Sequence, residues 1–493
     1  MIKNVLGWIL LFETAFLAIP AITSVCYIIS DASIREKEIQ SLISIVITMA
    51  ICAGIGGLML IGKPKSTTLY SREGFVIVSM SWIILSVFGA LPLFLSGSMP
   101  GGLTVSGYID ALFETSSGFT TTGASVIADV EALPKSMLIW RSFTHWVGGM
   151  GVLVFIMAFL PLSGATNMHI MKAESPGPSV SKLVPRVKTT ALILYSLYFI
   201  FTALLFIMLV CGGMSVFESF CTAFGTAGTG GFGFRNDSFA SFSPYLQTVV
   251  TVFMLIFSVN FASYYLAFKG RFKEALNSEV RTFIGVVIAA IVLITLNIYQ
   301  ISGTDLITTI KDVAFTVASI ISTSGFSTVD FDTWPQFSKY ILLMLMFTGA
   351  CAGSTCGGIK LSRITLFFKN VAREFRYMLH PKMVRKINID KKPVENEVAR
   401  SVSVYLLCYV IVFFISLLLL SLDPGIDNLE TGFSAIATTL NNCGPGLGNL
   451  GPTCNFGFLT DFSKLLLSFN MLAGRLELFP MLLLFHPSTW KKN

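Results

Sequence analysis

The chain has 493 residues, 54% hydrophobic and only 12% charged, with 34 Lys and Arg against 27 Asp and Glu. Soluble domains carry about 25% charged residues, so soluble enzymes and soluble binding modules are excluded as classes. There is enough apolar sequence for many spans of about 20 residues each, and the bilayer is expected to set the architecture.

The first apolar stretch, 5–29, follows Lys3 and lacks a small-residue cleavage site, so it reads as a retained helix and not as a signal peptide. Further apolar segments follow at 42–62, 75–97, 137–161, 190–212, 245–268, 282–301, 338–359, 401–421 and 463–486, ten in all. Weaker stretches ending in glycine lie between some of them, at 110–122, 217–229, 312–324 and 430–442. They are too short to span and fit re-entrant half-helices, which need protein or a cavity around them at membrane depth. The expected organisation is an N-terminal helix pair over 1–65, then four units at 66–165, 185–270, 278–375 and 398–490. The expected fold class is an all-α polytopic membrane protein with about ten transmembrane helices plus four re-entrant pore helices, arranged as four parallel membrane–pore–membrane repeats with pseudo-fourfold symmetry.

With the N-terminus in the cytoplasm, 25 of the 34 basic residues fall on the cytoplasmic side and 17 of the 27 acidic residues fall outside. This asymmetry satisfies the positive-inside rule and predicts a multi-pass protein with both termini cytoplasmic. The net acidic outer surface either concentrates cations at an entrance or reflects only the scarcity of basic residues there. The longest cytoplasmic stretch, 360–400, is basic and carries Phe and Tyr; it suits either anionic lipid headgroups or a cytosolic partner. Nine cysteines are scattered without a CxxC pair, and four histidines are dispersed, so neither a zinc site nor a disulfide framework is expected. Cys443 and Cys454 remain a possible outer pair.

A fourfold internal repeat is the most informative feature. The segments FETSSGFTTTGAS, FCTAFGTAGTGGFG, FTVASIISTSGFST and FSAIATTLNNCGPGLG share one layout. In each, a phenylalanine (113, 220, 315, 433) precedes a central glycine by ten or eleven residues, and an acidic residue (Asp110, Glu218, Asp312, Glu430) stands two or three positions earlier. The glycines Gly123, Gly231, Gly325 and Gly444 are 108, 94 and 119 residues apart, and every unit starts on the same side, so four loops can meet on one axis. Glycine allows backbone torsions that other residues resist, and successive carbonyls can then replace a cation's hydration shell. The C-terminal ends of the half-helices carry partial negative charge toward the same centre, and the acidic residues suit their N-terminal ends as caps. Glycines also let membrane helices pack closely, but four with matched spacing and orientation point to a shared axis. The candidate cation-binding positions are Thr121, Thr122 and Gly123; Thr229, Gly230 and Gly231; Thr323, Ser324 and Gly325; and Asn442, Cys443 and Gly444.

Arg475, in NMLAGRLELFP, lies deep in the last span. An intramembrane ionisable group usually faces the protein interior or a water-filled cavity; the arginine either binds Glu477 or backbone carbonyls, or faces the pore and repels cations. The run GACAGSTCGG at 349–358 should interrupt the eighth span and place a loop across the pore, making Gly349, Gly353, Gly357 and Arg475 the candidate gate. His145 is expected to be a packed, hydrogen-bonded residue. Clustered titratable groups at one depth, as an enzyme needs, are missing, so no enzymatic activity is expected.

At TTTGAS, TGGFG, STSGFST and NNCGPGLG, with RSFTHWVGGMG at 141–151, GACAGSTCGGIK at 349–360 and NMLAGRLELFP at 470–480, the sequence resembles the Trk, Ktr and HKT superfamily of potassium transporters, most closely its bacterial TrkH-type uptake subunits. The resemblance covers nearly the whole chain. It implies potassium uptake across the cytoplasmic (inner) membrane, with K+ bound in a filter around the four glycines and gated by the 349–358 loop and Arg475. A serine at the first filter glycine accompanies sodium transport in plant relatives, and Gly123 accordingly implies potassium. The resemblance further implies a homodimer with one pore per subunit and a cytosolic TrkA-type nucleotide-binding regulatory ring. No Walker or Rossmann motif is present, so no organic cofactor is expected in this chain, and nucleic acid is not an expected partner. Thr122, Gly230, Ser324 and Cys443 precede the four glycines, so the ring is not chemically fourfold. The alternative is a secondary transporter for an organic solute, for which inverted and not parallel repeats would be typical.

Overall fold

The computed structural model describes residues 2–61, 71–151, 187–302, 305–382, 386–390 and 392–491. α1 (Ile2–Phe16) and α2 (Ala18–Ser30) together form the first long apolar segment and pack against α3 (Arg35–Leu60). Gly7 and Gly56 meet where they cross; a Cβ on Gly56 would lie 2.9 Å from the Gly7 carbonyl oxygen, the close backbone approach that small residues permit between membrane helices.

Four units follow. The first is α4 (Ser71–Leu95), α5 (Val105–Phe119) and α6 (Lys135–Gly149); the second is α7 (Val187–Cys211), α8 (Val216–Gly228), α9 (Pro244–Ser258) and α10 (Phe261–Phe268), trailed by the single turn α11 (Phe272–Ala275). The third is α12 (Ser278–Ser302), α13 (Leu306–Ile321) and α14 (Gln336–Thr348), continued by α15 (Leu361–Leu379) and a two-stranded antiparallel turn of β1 (Asn388–Ile389) and β2 (Lys392–Pro393). The fourth is α16 (Asn396–Leu420), α17 (Leu429–Asn441), α18 (Asp461–Arg475) and α19 (Phe479–Leu484). The leading helices α7, α12 and α16 expose Phe199, Leu296 and Leu418, among other large apolar side chains, at 63%, 69% and 71%. Such faces require an apolar solvent, and this is an all-α integral membrane protein.

The expected spans divide into two kinds. Six helical segments among the described residues are long and apolar enough to cross a membrane, and they are the N-terminal pair and the leading helix of each unit. The second helix of every unit stops short. α6 ends at Gly149, and the remainder of the expected 137–161 span lies outside the described residues, as do most of the basic stretches 63–72 and 163–189. α9 and α10 are bent by 92° at a break where the Asn260 side chain accepts the Ala262 N–H and starts a new helix. α14 ends at Gly349 (φ 61°), and α18 gives way to Glu477 and Leu478, both with positive φ. Interruption is thus a property of all four units and not of the eighth span alone.

The short helices α5, α8, α13 and α17 are capped by Thr104, Ser215, Asp305 and Asn428, whose side chains accept the N–H groups of Gly107, Glu218, Ile307 and Thr431. This corrects the capping expected of the acidic residues. Only Glu218 takes part, through a capping box with Ser215. Asp110 and Asp312 sit more than a turn inside their helices, beyond reach of the first N–H groups. Asp110 instead binds Lys464 of α18 at 2.6 Å, with both side chains buried, and Glu430 binds Lys339 of α14 at 3.3 Å. Each lysine reaches the short helix of the next unit, so the Asp110–Lys464 pair fastens the last unit to the first. The apolar core follows the same circuit: one cluster packs Phe315 and Phe326 of the third unit against the second, another packs Cys443 and Leu447 of the fourth against the third, and the largest joins fourth, first and N-terminal helices.

Removing one partner of a buried ion pair leaves an uncompensated charge and costs about 3–5 kcal/mol. Asp110→Asn is therefore expected to lower the thermal midpoint of the purified protein in detergent, and Lys464→Met added to it should recover part of the loss. An unchanged midpoint for Asp110→Asn would remove the ring-closing role of this pair.

Candidate functional site

The four short helices end in one backbone motif. Thr121, Thr229, Thr323 and Asn442 adopt left-handed φ values of 56°, 54°, 55° and 55°. The next residue's N–H then reaches back five positions: Thr122 to Ser117, Gly230 to Gly225, Ser324 to Ser319 and Cys443 to Thr438, all at 2.8–2.9 Å. This is the Schellman closure of a helix C-terminus, whose left-handed position is normally glycine or asparagine. Asn442 fits that preference; the three β-branched threonines do not. The left-handed conformation costs a non-glycine residue roughly 1–2 kcal/mol, a strain typical of functional sites. One residue further on, Gly123, Gly231, Gly325 and Gly444 again have positive φ, at 83°, 78°, 81° and 92°. The glycines were visible in the sequence, whereas the strained threonines were not, because threonine propensity argues against that conformation.

The glycines close a ring. A Cβ on Gly123 would stand 2.1 Å from the carbonyl oxygen of Gly230, one on Gly231 1.7 Å from that of Ser324, one on Gly325 2.6 Å from that of Cys443, and one on Gly444 2.7 Å from that of Thr122. Each loop therefore presses its glycine against the carbonyl of the next, in chain order, and the fourth returns to the first. The side chains around this backbone are not fourfold. Thr122 and Ser324 hydrogen-bond Thr120 and Ser322 at 2.8 Å. Asn442 donates through Nδ2 to Thr122 Oγ1 and to the Met471 carbonyl, both at 2.9 Å, tying fourth loop to first. Gly230 has no room for a side chain because His145 occupies its place, 2.2 Å from where a Cβ would be. His145 accepts the Phe232 N–H through Nε2 at 3.2 Å, which leaves Nδ1 to donate to the Gly118 carbonyl at 2.8 Å. It is the packed, hydrogen-bonded residue expected, wedged between first and second loops.

One cavity is lined by all four ring glycines together with Arg141 and Arg235. Arg141 is buried against Glu114 at 2.6 Å and lies 4.1 Å from the Phe232 ring centre; Arg235 pairs with Glu218 at 2.8 Å. Among the described residues no carboxylate lines this cavity, so its immediate wall there is not the acidic entrance allowed for in the sequence. All nine cysteines are free, with Cys443 buried and Cys454 exposed, so the possible Cys443–Cys454 pair is not formed.

On the other side of the ring lies the loop 349–360. Its Gly357 N–H donates to Thr323 Oγ1 at 2.8 Å, and a Cβ on Gly357 would meet the Asn441 carbonyl at 2.3 Å, so the loop rests directly on third and fourth ring segments. Gly349 closes its base; a Cβ there would be 2.7 Å from the Gly357 carbonyl. Gly353 (φ 77°) enters the break between α9 and α10, where its carbonyl accepts the Phe261 N–H at 3.2 Å. Glu279 of α12 clamps both limbs, accepting the N–H groups of Ala352 at 2.8 Å and Ser362 at 3.2 Å. A second cavity is lined by Gly353, Gly357, Lys360, Arg475 and the Gly149–Gly151 turn, among others. Arg475 donates to the carbonyls of Thr355 and Gly149 at 2.8 Å and to that of Gly148. It thus stitches the end of α6 and the loop to α18, and Glu477 binds Arg363. The carbonyl-bound arrangement allowed for in the sequence is present, and the guanidinium also lines this cavity.

The model of the TrkH family, described as cation transport protein, matches residues 41–492. The chain belongs to this family. It is 37% identical over 433 residues to the Trk system potassium uptake protein TrkH of Salmonella typhimurium, covering 86% of this chain and 87% of that relative. It is 33% identical over 497 residues to the TrkH of Halomonas elongata, covering 100% and 99%. The crystal structure of the potassium transporter TrkH from Vibrio parahaemolyticus superposes with a TM-score of 0.86 at 31% identity, over 99% of both chains.

The ring's closeness is testable without transport. Gly231→Ala puts a methyl where a backbone carbonyl stands, 1.7 Å away, whereas Gly213→Ala has φ 88° but open space. The second carries only the left-handed penalty of about 1–2 kcal/mol. Gly231→Ala is expected to lower the thermal midpoint clearly further than Gly213→Ala; equal midpoints would show that the loops can separate.

Proposed function

We propose that this TrkH-family chain takes up potassium across the cytoplasmic (inner) membrane through a pore on the axis of the glycine ring. The observation that carries the reading is the ring's closure by four equivalent backbone segments, each ending a half-helix whose negative dipole end approaches one centre. Backbone oxygens at Thr121–Gly123, Thr229–Gly231, Thr323–Gly325 and Asn442–Gly444 replace water around K+, the transported ion. Gly349, Gly353, Gly357 and Arg475 form the gate: the loop lies against the ring, and carbonyls of the loop and of α6 hold the guanidinium beside it. The basic loops support a topology with both termini in the cytoplasm. The potassium-uptake names of the relatives support the substrate, and the Trk family supports the assembly expected from the sequence, a homodimer served by a TrkA-type nucleotide-binding ring.

Rubidium-86 uptake into liposomes holding the purified chain, with and without the regulatory ring, tests this reading. Uptake competed by potassium and weakly by sodium is expected; no uptake under either condition, alongside uptake of an organic solute, would favour the secondary-transporter reading. Gly123→Ser is expected to reduce potassium preference over sodium by about tenfold, about 1.4 kcal/mol, because the new side chain must displace the Gly230 carbonyl. Unchanged relative uptake would detach Gly123 from selectivity. A unit charge about 8 Å from a passing cation raises its energy by about 2 kcal/mol at an effective dielectric of 20. Arg475→Ala is therefore expected to raise basal flux by roughly an order of magnitude, and a fall in flux at constant protein level would refute the barrier role.

A further inference from the structure

We propose that the groove between α15 and the β1–β2 turn binds the headgroup of an anionic phospholipid. The charged side chains in its wall are all cationic: Lys369, Arg373 and Arg376 from α15, and Lys386 from the segment leading into β1. The groove is built and not incidental. Ile387, beside Lys386, is buried in a small separate core with Leu366 of α15 and with Ala399 and Val402 of α16, which fixes the turn against the helix. Lys369 donates to the Asn388 carbonyl at 3.1 Å, and Arg373 is steadied by Asn396 at 3.1 Å and Glu374 at 2.9 Å.

Beside the basic stripe runs an apolar one. Phe368, Phe375 and Leu379 recur at intervals of seven and four residues, on one helix face, and are 65%, 63% and 75% exposed. α15 follows the 349–360 loop and is about 28 Å long over its 19 residues, and a helix with a cationic and an apolar stripe suits the bilayer boundary. Cationic and apolar stripes side by side at that depth match the two ends of one lipid, phosphate against the guanidinium and ammonium groups and acyl chain along the phenylalanines. An acidic protein surface would satisfy the cations but leave the apolar stripe without a partner, which is why lipid is the assigned occupant.

The test is binding to the full chain in detergent, read by native mass spectrometry with phosphatidylglycerol, phosphatidylcholine or inorganic phosphate, and it does not depend on transport. One phosphatidylglycerol retained in preference to phosphatidylcholine is expected. Near-surface cations contribute about 1 kcal/mol each toward anionic lipid, so Lys369→Gln with Arg376→Gln should weaken retention about 30-fold. Phe375→Ser should weaken phosphatidylglycerol while sparing any binding of inorganic phosphate. Lys386→Gln serves as a second probe if the double variant has a lowered thermal midpoint. Equal retention of both lipids, indifference to these substitutions, or phosphate binding without lipid preference would overturn the proposal. So would loss of binding to a soluble regulatory subunit as the sole effect of the substitutions, which would assign the groove to protein docking.

Discussion

The contact between a glycine α-carbon and the carbonyl of the next loop is the constraint on which the rest of the molecule depends. It occurs four times and leaves less room than any Cβ needs. Because each contact joins neighbouring units, the four short helices must arrive at one level and end with the same torsions. The left-handed Thr121, Thr229 and Thr323 are part of that requirement: they turn the chain sharply enough for the glycine two residues later to reach its neighbour. Their strain persists because the surrounding hydrogen bonds over-determine it, including a backbone bond of 2.8–2.9 Å that closes each helix end.

Charge in this apolar molecule is placed to serve the same ring. Arg141 with Glu114, Lys464 with Asp110 and Lys339 with Glu430 and Asp332 lie in or beside the short helices, where an unpaired charge would be costly. Two of these clusters cross from one unit to the next, so polar groups that would weaken a bundle instead set the register of the units. Arg475 differs in kind. It donates to carbonyls from α6 and from the 349–360 loop, and so ties the loop to the first and fourth units. In a low-dielectric surrounding a charge acts over several ångströms, which is the physical ground of the barrier role proposed for it.

Much of this was legible in the sequence, and the failures have physical causes. The leading helices were plain because they face lipid and are apolar all round. Gly123, Gly231, Gly325 and Gly444 were plain because only glycine tolerates their surroundings and the spacing repeats. The caps were misread, since Thr104, Ser215, Asp305 and Asn428 carry the ordinary N-cap chemistry while the acidic residues further in drew attention by their recurrence. The breaks after α6, α9 and α18 were hidden because each lies in a segment whose average hydropathy still reads as one span. The carbonyls that Arg475 binds stand 120 and more residues away, and backbone atoms carry no residue-type signal.

The departures from fourfold symmetry follow from building the ring out of one chain. Identical subunits would have to repeat every side chain four times, and a histidine wedge at each position matching Gly230 would demand four glycines there. A single chain keeps the backbone equivalent, which is all that a carbonyl ring requires, and lets each unit spend its side chains differently. His145 fills the seam between first and second loops, Asn442 ties the fourth to the first, and the third unit sends a loop beneath the ring. Sequence divergence among the repeats is thus compatible with a ring of equivalent backbone, and it is what allows one face of that ring to carry the 349–360 loop.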